Sequence, residues 1–132
     1  MALPEDQAPR FDAHFPGQSP IDAYGNGGFR FADMSHRGSL LFLPSGVWGW
    51  EPRTPGDLQL EHFSRVLADG EHIGVLLLGT GVAQAFPSRE IKRAFESAGI
   101  VIESMMTGAA ARTYNILLAE KRQVAAALIA VD

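Results

Sequence analysis

From Ile73 to Leu78 the chain carries no charged or polar side chain, and Gly79-Thr80-Gly81 follows at once. A strand with one wet face alternates apolar and polar residues, so a run without alternation needs cover on both faces. Such a strand demands a sheet with a layer packed on each side, and its place is expected at the centre of that sheet. A helix signal comes next: Ser88 stands at the N-cap, Ile91, Ala94, Phe95 and Ala98 recur at helical spacing, and Gly99 suits the exit. Ile100 to Ile102 then reads as a second buried strand, ending in Glu103 and the turn Met105-Met106-Thr107-Gly108. A strand–helix–strand unit of this length closes right-handed with parallel, usually adjacent strands. Both strands therefore end in turns on one edge of the sheet.

The remaining segments add to this frame. Residues 1–17, with Pro4, Pro9 and Pro16 among charged and small residues, are expected to be extended or partly disordered, and residues 18–132 to form one α/β domain. A chain of 132 residues suits one core, burying roughly 65–70% of the surface its unfolded form exposes. Asn26-Gly27 has the residue types that a type I′ turn needs, which predicts a hairpin with Tyr24 opposite Phe29. Ser39 to Leu43 reads as a buried strand stopped by Pro44, and Val47 to Glu51 as a continuation placing Trp48 and Trp50 on one face. Asp57 is expected to cap a helix presenting Leu60, Phe63 and Leu67, with Gly70 as its left-handed end. Thr107 is expected to cap the last helix, whose Ala110, Tyr114, Leu117 and Leu118 share a face away from Arg112, Asn115 and Ala119. Val124 to Val131 completes the sheet.

Composition removes several classes of function. The chain has no cysteine, which excludes disulfides, thiolate metal sites and cysteine nucleophiles. Its net charge of −4, with basic residues interspersed among acidic ones, does not suit nucleic acid, whose binding rests on Lys and Arg against phosphates. No apolar run approaches the roughly 20 residues of a membrane-spanning helix. The first residues lack the pattern of a secretory signal or transit peptide, so a soluble, cytoplasmic protein is expected. His14, His36, His62 and His72 fall in separate segments without metal-ligand spacing, so neither a metal nor another cofactor is expected. No serine sits in a nucleophile elbow.

The edge where both strands end is the place to look for a site, because ligands of open α/β sheets gather outside the carboxyl ends of the strands. Gly79-Thr80-Gly81 resembles the start of a dinucleotide fingerprint, but Gln84 stands where the third glycine belongs and Pro87 delays the helix. The alternative is a tight turn leaving a strand. Free N–H groups at the start of the last helix would favour a small anion or carboxylate near Thr107, unless its hydroxyl caps the helix instead. Gly79, Thr80, Gly81, Glu103, Thr107 and Gly108 are thus expected to line one concavity, with Arg112, Tyr114 and Asn115 completing the candidate pocket. Glu103 is a lone carboxylate whose nearest candidate partner is Arg112, and no catalytic pair accompanies it. Tyr114 is expected in the core with its hydroxyl bonded at the edge. Trp48 and Trp50, with the Pro52 to Pro55 loop, are the candidate partner surface, unless one or both are buried.

Tyr24-Gly25-Asn26-Gly27-Gly28-Phe29, Leu78-Gly79-Thr80-Gly81, Glu103-Ser104-Met105-Met106-Thr107 and Ala111-Arg112-Thr113-Tyr114-Asn115-Ile116-Leu117 together resemble a small family. It includes mitochondrial complex I assembly factor 3 and the human adipogenesis-associated protein, and the resemblance covers about residues 18 to 131. It implies a three-layer fold in which a mixed β-sheet carries helices on one side and a β-rich layer on the other, and it leaves open whether the last strand runs parallel or antiparallel. No catalytic residues carry over. A shared cleft near Gly79-Thr80-Gly81 and Thr107 to Asn115 does.

Two functions follow. One is a non-enzymatic assembly or adaptor factor whose partner is a subunit of a respiratory NADH dehydrogenase or another protein; the missing base–nucleophile pair favours it. The other is a small-molecule-binding protein or enzyme using the strand-end pocket, which the glycine turns favour. Oligomeric state is not written in these residues.

Overall fold

The structure, a computed structural model, describes residues 13–132, so residues 1–12 of the expected extended segment lie outside the described residues. Strands β1 (Ala23–Gly25), β2 (Gly28–Phe31) and β3 (Met34–Arg37) form a small antiparallel sheet. Strands β4 (Ser39–Leu43), β5 (Gly46–Trp50), β6 (Val75–Gly79), β7 (Val101–Met105) and β8 (Val124–Leu128) form a second sheet in the order β5-β4-β8-β6-β7. The helices are α1 (Ser64–Ala68), α2 (Arg89–Ala98) and α3 (Thr107–Ala119).

The larger sheet is mixed. β6 is parallel to β7 and to β8, whereas β8 is antiparallel to β4, which answers the open question about the last strand in both senses. β8, not β6, holds the middle. Alternate side chains of these strands enter two cores. Leu41, Leu76, Leu78, Ala125 and Ala127 face Phe63, Val66, Ile91 and Phe95 of the α1–α2 side. Leu40, Phe42, Leu77, Ala126 and Leu128 face Phe29, Phe31, Ala110 and Tyr114. The expected three layers are present, and the β-rich layer also carries α3. The connectivity explains why: the chain steps from β6 to β7 on one side, then returns past β6 to β8 on the other. Right-handed crossovers in opposite directions put their helices on opposite faces.

Local chemistry accounts for most element ends. Asn26 and Gly27 have φ of 53° and 80°, so the expected turn forms and Tyr24 pairs with Phe29. The hairpin continues into a third strand, β3, through Ala32 and Asp33, both also at positive φ. Ser88 Oγ accepts from the Ile91 N–H at 3.3 Å, and Gly99 leaves α2 at φ 75°, although Ala98 is exposed rather than packed.

Several expectations need correction. The helix expected after Asp57 is present in shorter form, a 3-10 turn over Leu60–Phe63 running into the five-residue α1, and Asp57 does not cap it but ends a separate 3-10 turn. Its carboxylate instead accepts from the N–H groups of Arg53 and Thr54, which hold its pKa below the usual range. Gly70 opens a further 3-10 turn. β7 is an edge strand, half covered rather than buried, because nothing pairs with its outer side among the described residues. β8 stops at Leu128 rather than Val131. The N-cap of α3 is Met106, and Thr107 lies one position inside the helix.

Candidate functional site

Helices α2 and α3 lie on opposite faces, so the loops after β6 and β7 part from each other and the topological switch point falls between those two strands, at their carboxyl ends, where open α/β sheets form their ligand crevice. A cleft of about 430 Å³ lies beside it, at the carboxyl ends of β6 and β8, lined by Thr80 to Ala85 after β6, Ile129 to Asp132 after β8, and Arg53, Thr54 and Pro55 from the loop after β5. Its floor is held by polar groups already paired with each other. The Thr80 hydroxyl donates to Ala83 O at 2.7 Å and accepts from the Ala85 N–H at 3.0 Å, folding the loop on itself. Thr107 is fully buried. Its hydroxyl donates to Ile129 O at 2.7 Å and accepts from the Gly81 N–H at 2.9 Å, while its own N–H donates to Gly81 O at 2.9 Å. One side chain thus ties the ends of β6 and β8 to the start of α3. This replaces both expectations for Thr107, as a cap for its own helix and as part of an open anion cradle.

Gly79 is needed for the same closure. A Cβ there would stand 2.8 Å from Leu128 Cδ2 and 3.0 Å from Thr107 Cα, so α3 packs directly on backbone. Gly108 admits Tyr24, whose hydroxyl a Cβ would strike. Tyr24 therefore covers the first turn of α3.

The nine candidate pocket residues are divided among separate places. Thr80 and Gly81 line the strand-end cleft; Gly79 and Thr107 lie beneath it. Gly108 and Arg112 border a second groove, of about 430 Å³, with Ile21 to Tyr24. Glu103 is exposed on β7, and no ion pair within 4 Å joins it to Arg112 among the described residues. The reason is orientation, since Arg112 turns toward β1 and away from β7. Tyr114 is fully buried, as expected, and donates to Ser19 O at 2.8 Å; burial pushes its phenol far above the usual range. Asn115 clasps the backbone of Ile21, accepting from its N–H and donating to its C=O, both at 2.8 Å. Both residues serve to pin residues 19–21 onto α3.

The two tryptophans part company. Trp50 is only 9% exposed, stacks edge-on against Phe63 and donates its indole N–H to His62 O at 2.8 Å, so it belongs to the core. Trp48 is half covered, with the Arg65 guanidinium 3.8 Å above its ring. The larger exposed apolar groups lie elsewhere. Val82 and Phe86, in the loop after β6, are 79% and 77% exposed, and the half-exposed Met106 leaves the same edge of the sheet, next to the Thr107 that bonds Gly81. No periodicity marks them, because a loop has none.

Two histidines from separate segments also meet. The rings of His14 and His36 lie 4.8 Å apart, where residues 14 and 15 bridge to Val47. Burial first, and then the charge His14 would carry, lower the His36 pKa from its ordinary 6.5. A folded-state pKa below the unfolded one means that the unfolded chain takes up more protons across that window. The associated stability is present above about pH 6.5 and declines as pH falls toward the lowered value. Melting curves should show this loss between pH 7 and the acid side of that window, and His36→Gln should flatten it. An unchanged slope in the variant would assign the pH dependence elsewhere.

Residues 21–129 match a family described as a protein of unknown function, DUF498/DUF598. The chain belongs to the DUF498/DUF598 family. It is 36% identical over 122 residues to an uncharacterised protein of Rhodobacter capsulatus, covering 92% of each chain. It is also 32% identical over 109 residues to the zebrafish (Danio rerio) NADH dehydrogenase [ubiquinone] 1 alpha subcomplex assembly factor 3. That match covers 83% of this chain and 63% of the relative, so the chain spans less than two thirds of it. Among solved structures, one described as an outer membrane protein of Bartonella henselae superposes with a TM-score of 0.87 at 53% identity, covering 90% of this chain and 100% of that one. The resemblance read from the hairpin, glycine-turn and α3 motifs therefore holds across the DUF498/DUF598 fold. No helix among the described residues is long and apolar enough to cross a membrane.

Proposed function

We propose that this chain is a non-catalytic assembly or adaptor protein acting on a respiratory NADH dehydrogenase. The observation that carries the reading is the closure of the switch point. Where an α/β enzyme would present catalytic groups to a ligand, the polar atoms of Thr80, Gly81 and Thr107 are spent on holding the fold together. The likeness to relatives named as NADH dehydrogenase assembly factors supplies the class of partner.

Val82, Phe86 and Met106, exposed on the strand-end edge, form the surface that fits a protein partner better than the tryptophans do. Aromatic anchors of interfaces typically lose about 2 kcal/mol or more on truncation, roughly thirtyfold in affinity. Deleting the gene should lower the amount of assembled NADH dehydrogenase on native gels. Complementation with Phe86→Ser should restore it poorly, while the melting temperature of the purified variant stays at the wild-type value because the ring is exposed. Normal complex levels in the deletion strain would overturn the assembly role.

The second reading, a small-molecule protein, is favoured by the strand-end cleft itself, which Arg53 borders with a positive charge. Saturable binding of a metabolite that perturbs Thr80 and Gly81, in a strain whose respiratory complexes are intact, would promote it.

A further inference from the structure

We propose that the outer face of the small β1–β3 sheet binds a phosphate group between Arg30 and Arg37. The register puts Ala23 opposite Arg30, Gly25 opposite Gly28, Arg30 opposite Ser35 and Gly28 opposite Arg37. These residues share one face of the sheet. The other face sends Phe29 and Phe31 into the core, so the first face looks outward.

Two facing glycines and an alanine leave that outward face without bulk over β1 and β2, and a hollow of about 420 Å³ results. Arg30 and Arg37 fence it from β2 and β3, and Asn26 adds an amide at the turn. Arg30 is held in place: its Nη1 donates to Ser35 Oγ at 2.8 Å. Neither guanidinium has a carboxylate within 4 Å among the described residues. The Asp132 carboxylate approaches the same end of the hollow, beside Gly27, without pairing with Arg37. One fixed and one free positive fork over an open backbone floor are placed against the trend of a chain whose net charge is −4.

The chemistry selects phosphate. A guanidinium presents paired N–H donors that match oxyanions, and two of them on neighbouring strands suit a tetrahedral phosphate, which can turn one non-bridging oxygen toward each. The shared chemistry can be supplied by a free phosphorylated molecule or by a phospholipid headgroup, and the two sources are separable by experiment.

The test is a titration of the nitrogen-15-labelled protein with inorganic pyrophosphate, run beside sedimentation with phosphatidylglycerol vesicles. Saturable shifts at the Gly25, Gly28 and Ser35 amides are expected, weakened at least tenfold in both Arg30→Gln and Arg37→Gln. Arg122→Gln, away from the hollow, should leave binding unchanged. Vesicle binding lost in the same two variants, without saturable pyrophosphate shifts, would support the site and assign the headgroup as the source. Both altered side chains are exposed, so amide positions outside the small sheet should stay in place and certify the fold. The site is overturned by the absence of binding in both arms, or by binding that survives both arginine substitutions.

Discussion

Replacing Phe63 with Ala is expected to lower the unfolding free energy by about 3–5 kcal/mol, the range for deleting a large buried aromatic side chain. Phe63 is fully buried and stands at the middle of an aromatic column. Its ring meets Trp50 at 5.5 Å and Phe95 at 5.4 Å, both edge-on, so it joins β5 to α2 through the turn before α1. The surrounding helices are short and the turns irregular, so little backbone regularity is available to close the cavity. Small domains carry only about 5–15 kcal/mol of net stability, which makes this loss a large share of the total. Urea unfolding monitored by tryptophan fluorescence is the natural measurement, since Trp50 reports on the same column. A loss under about 1 kcal/mol would mean that the column does not hold these layers together.

Thr107→Val is expected to destabilise by about 2–6 kcal/mol, because valine keeps the shape but strands two buried partners at about 1–3 kcal/mol each. Those partners are the Gly81 N–H and the Ile129 C=O. Thr107→Ser retains the hydroxyl and should lose much less. Hydrogen exchange at the Gly81 amide distinguishes the mechanism from a general loss of packing: exchange should accelerate in the valine variant beyond the change in global stability. Equal stability of the valine and wild-type proteins would show that the threonine is not the knot at the switch point.

These two residues also mark how far a sequence can be read. Phe63 is legible as apolar and as part of a helical face with Leu60 and Leu67, but the spacing does not tell that the first turn, Leu60–Phe63, is 3-10 and that only Ser64–Ala68 is α. Thr107 was legible as the start of a helix. Its actual partners lie 22 and 26 residues away, and no local pattern encodes a hydrogen bond across that distance. β3 went unread for a related reason: Met34-Ser35-His36-Arg37 is too polar for a strand signal, and Ala32-Asp33 carries no glycine to announce its turn.

By itself the sequence determined the two-sided burial of β6, the β6–α2–β7 unit, the cap and exit of α2, the Asn26-Gly27 hairpin and the membership that its motifs imply. Each of these is written in the spacing of neighbouring residues, where periodicity, caps and turn stereochemistry act within a few positions. Only the tertiary structure decided that β8 occupies the centre of the sheet, that Trp50 is buried and Trp48 is half covered, that His14 meets His36, and that the candidate pocket is divided. Those outcomes depend on which apolar face packs against which, and a pattern of burial names the face without naming its neighbour.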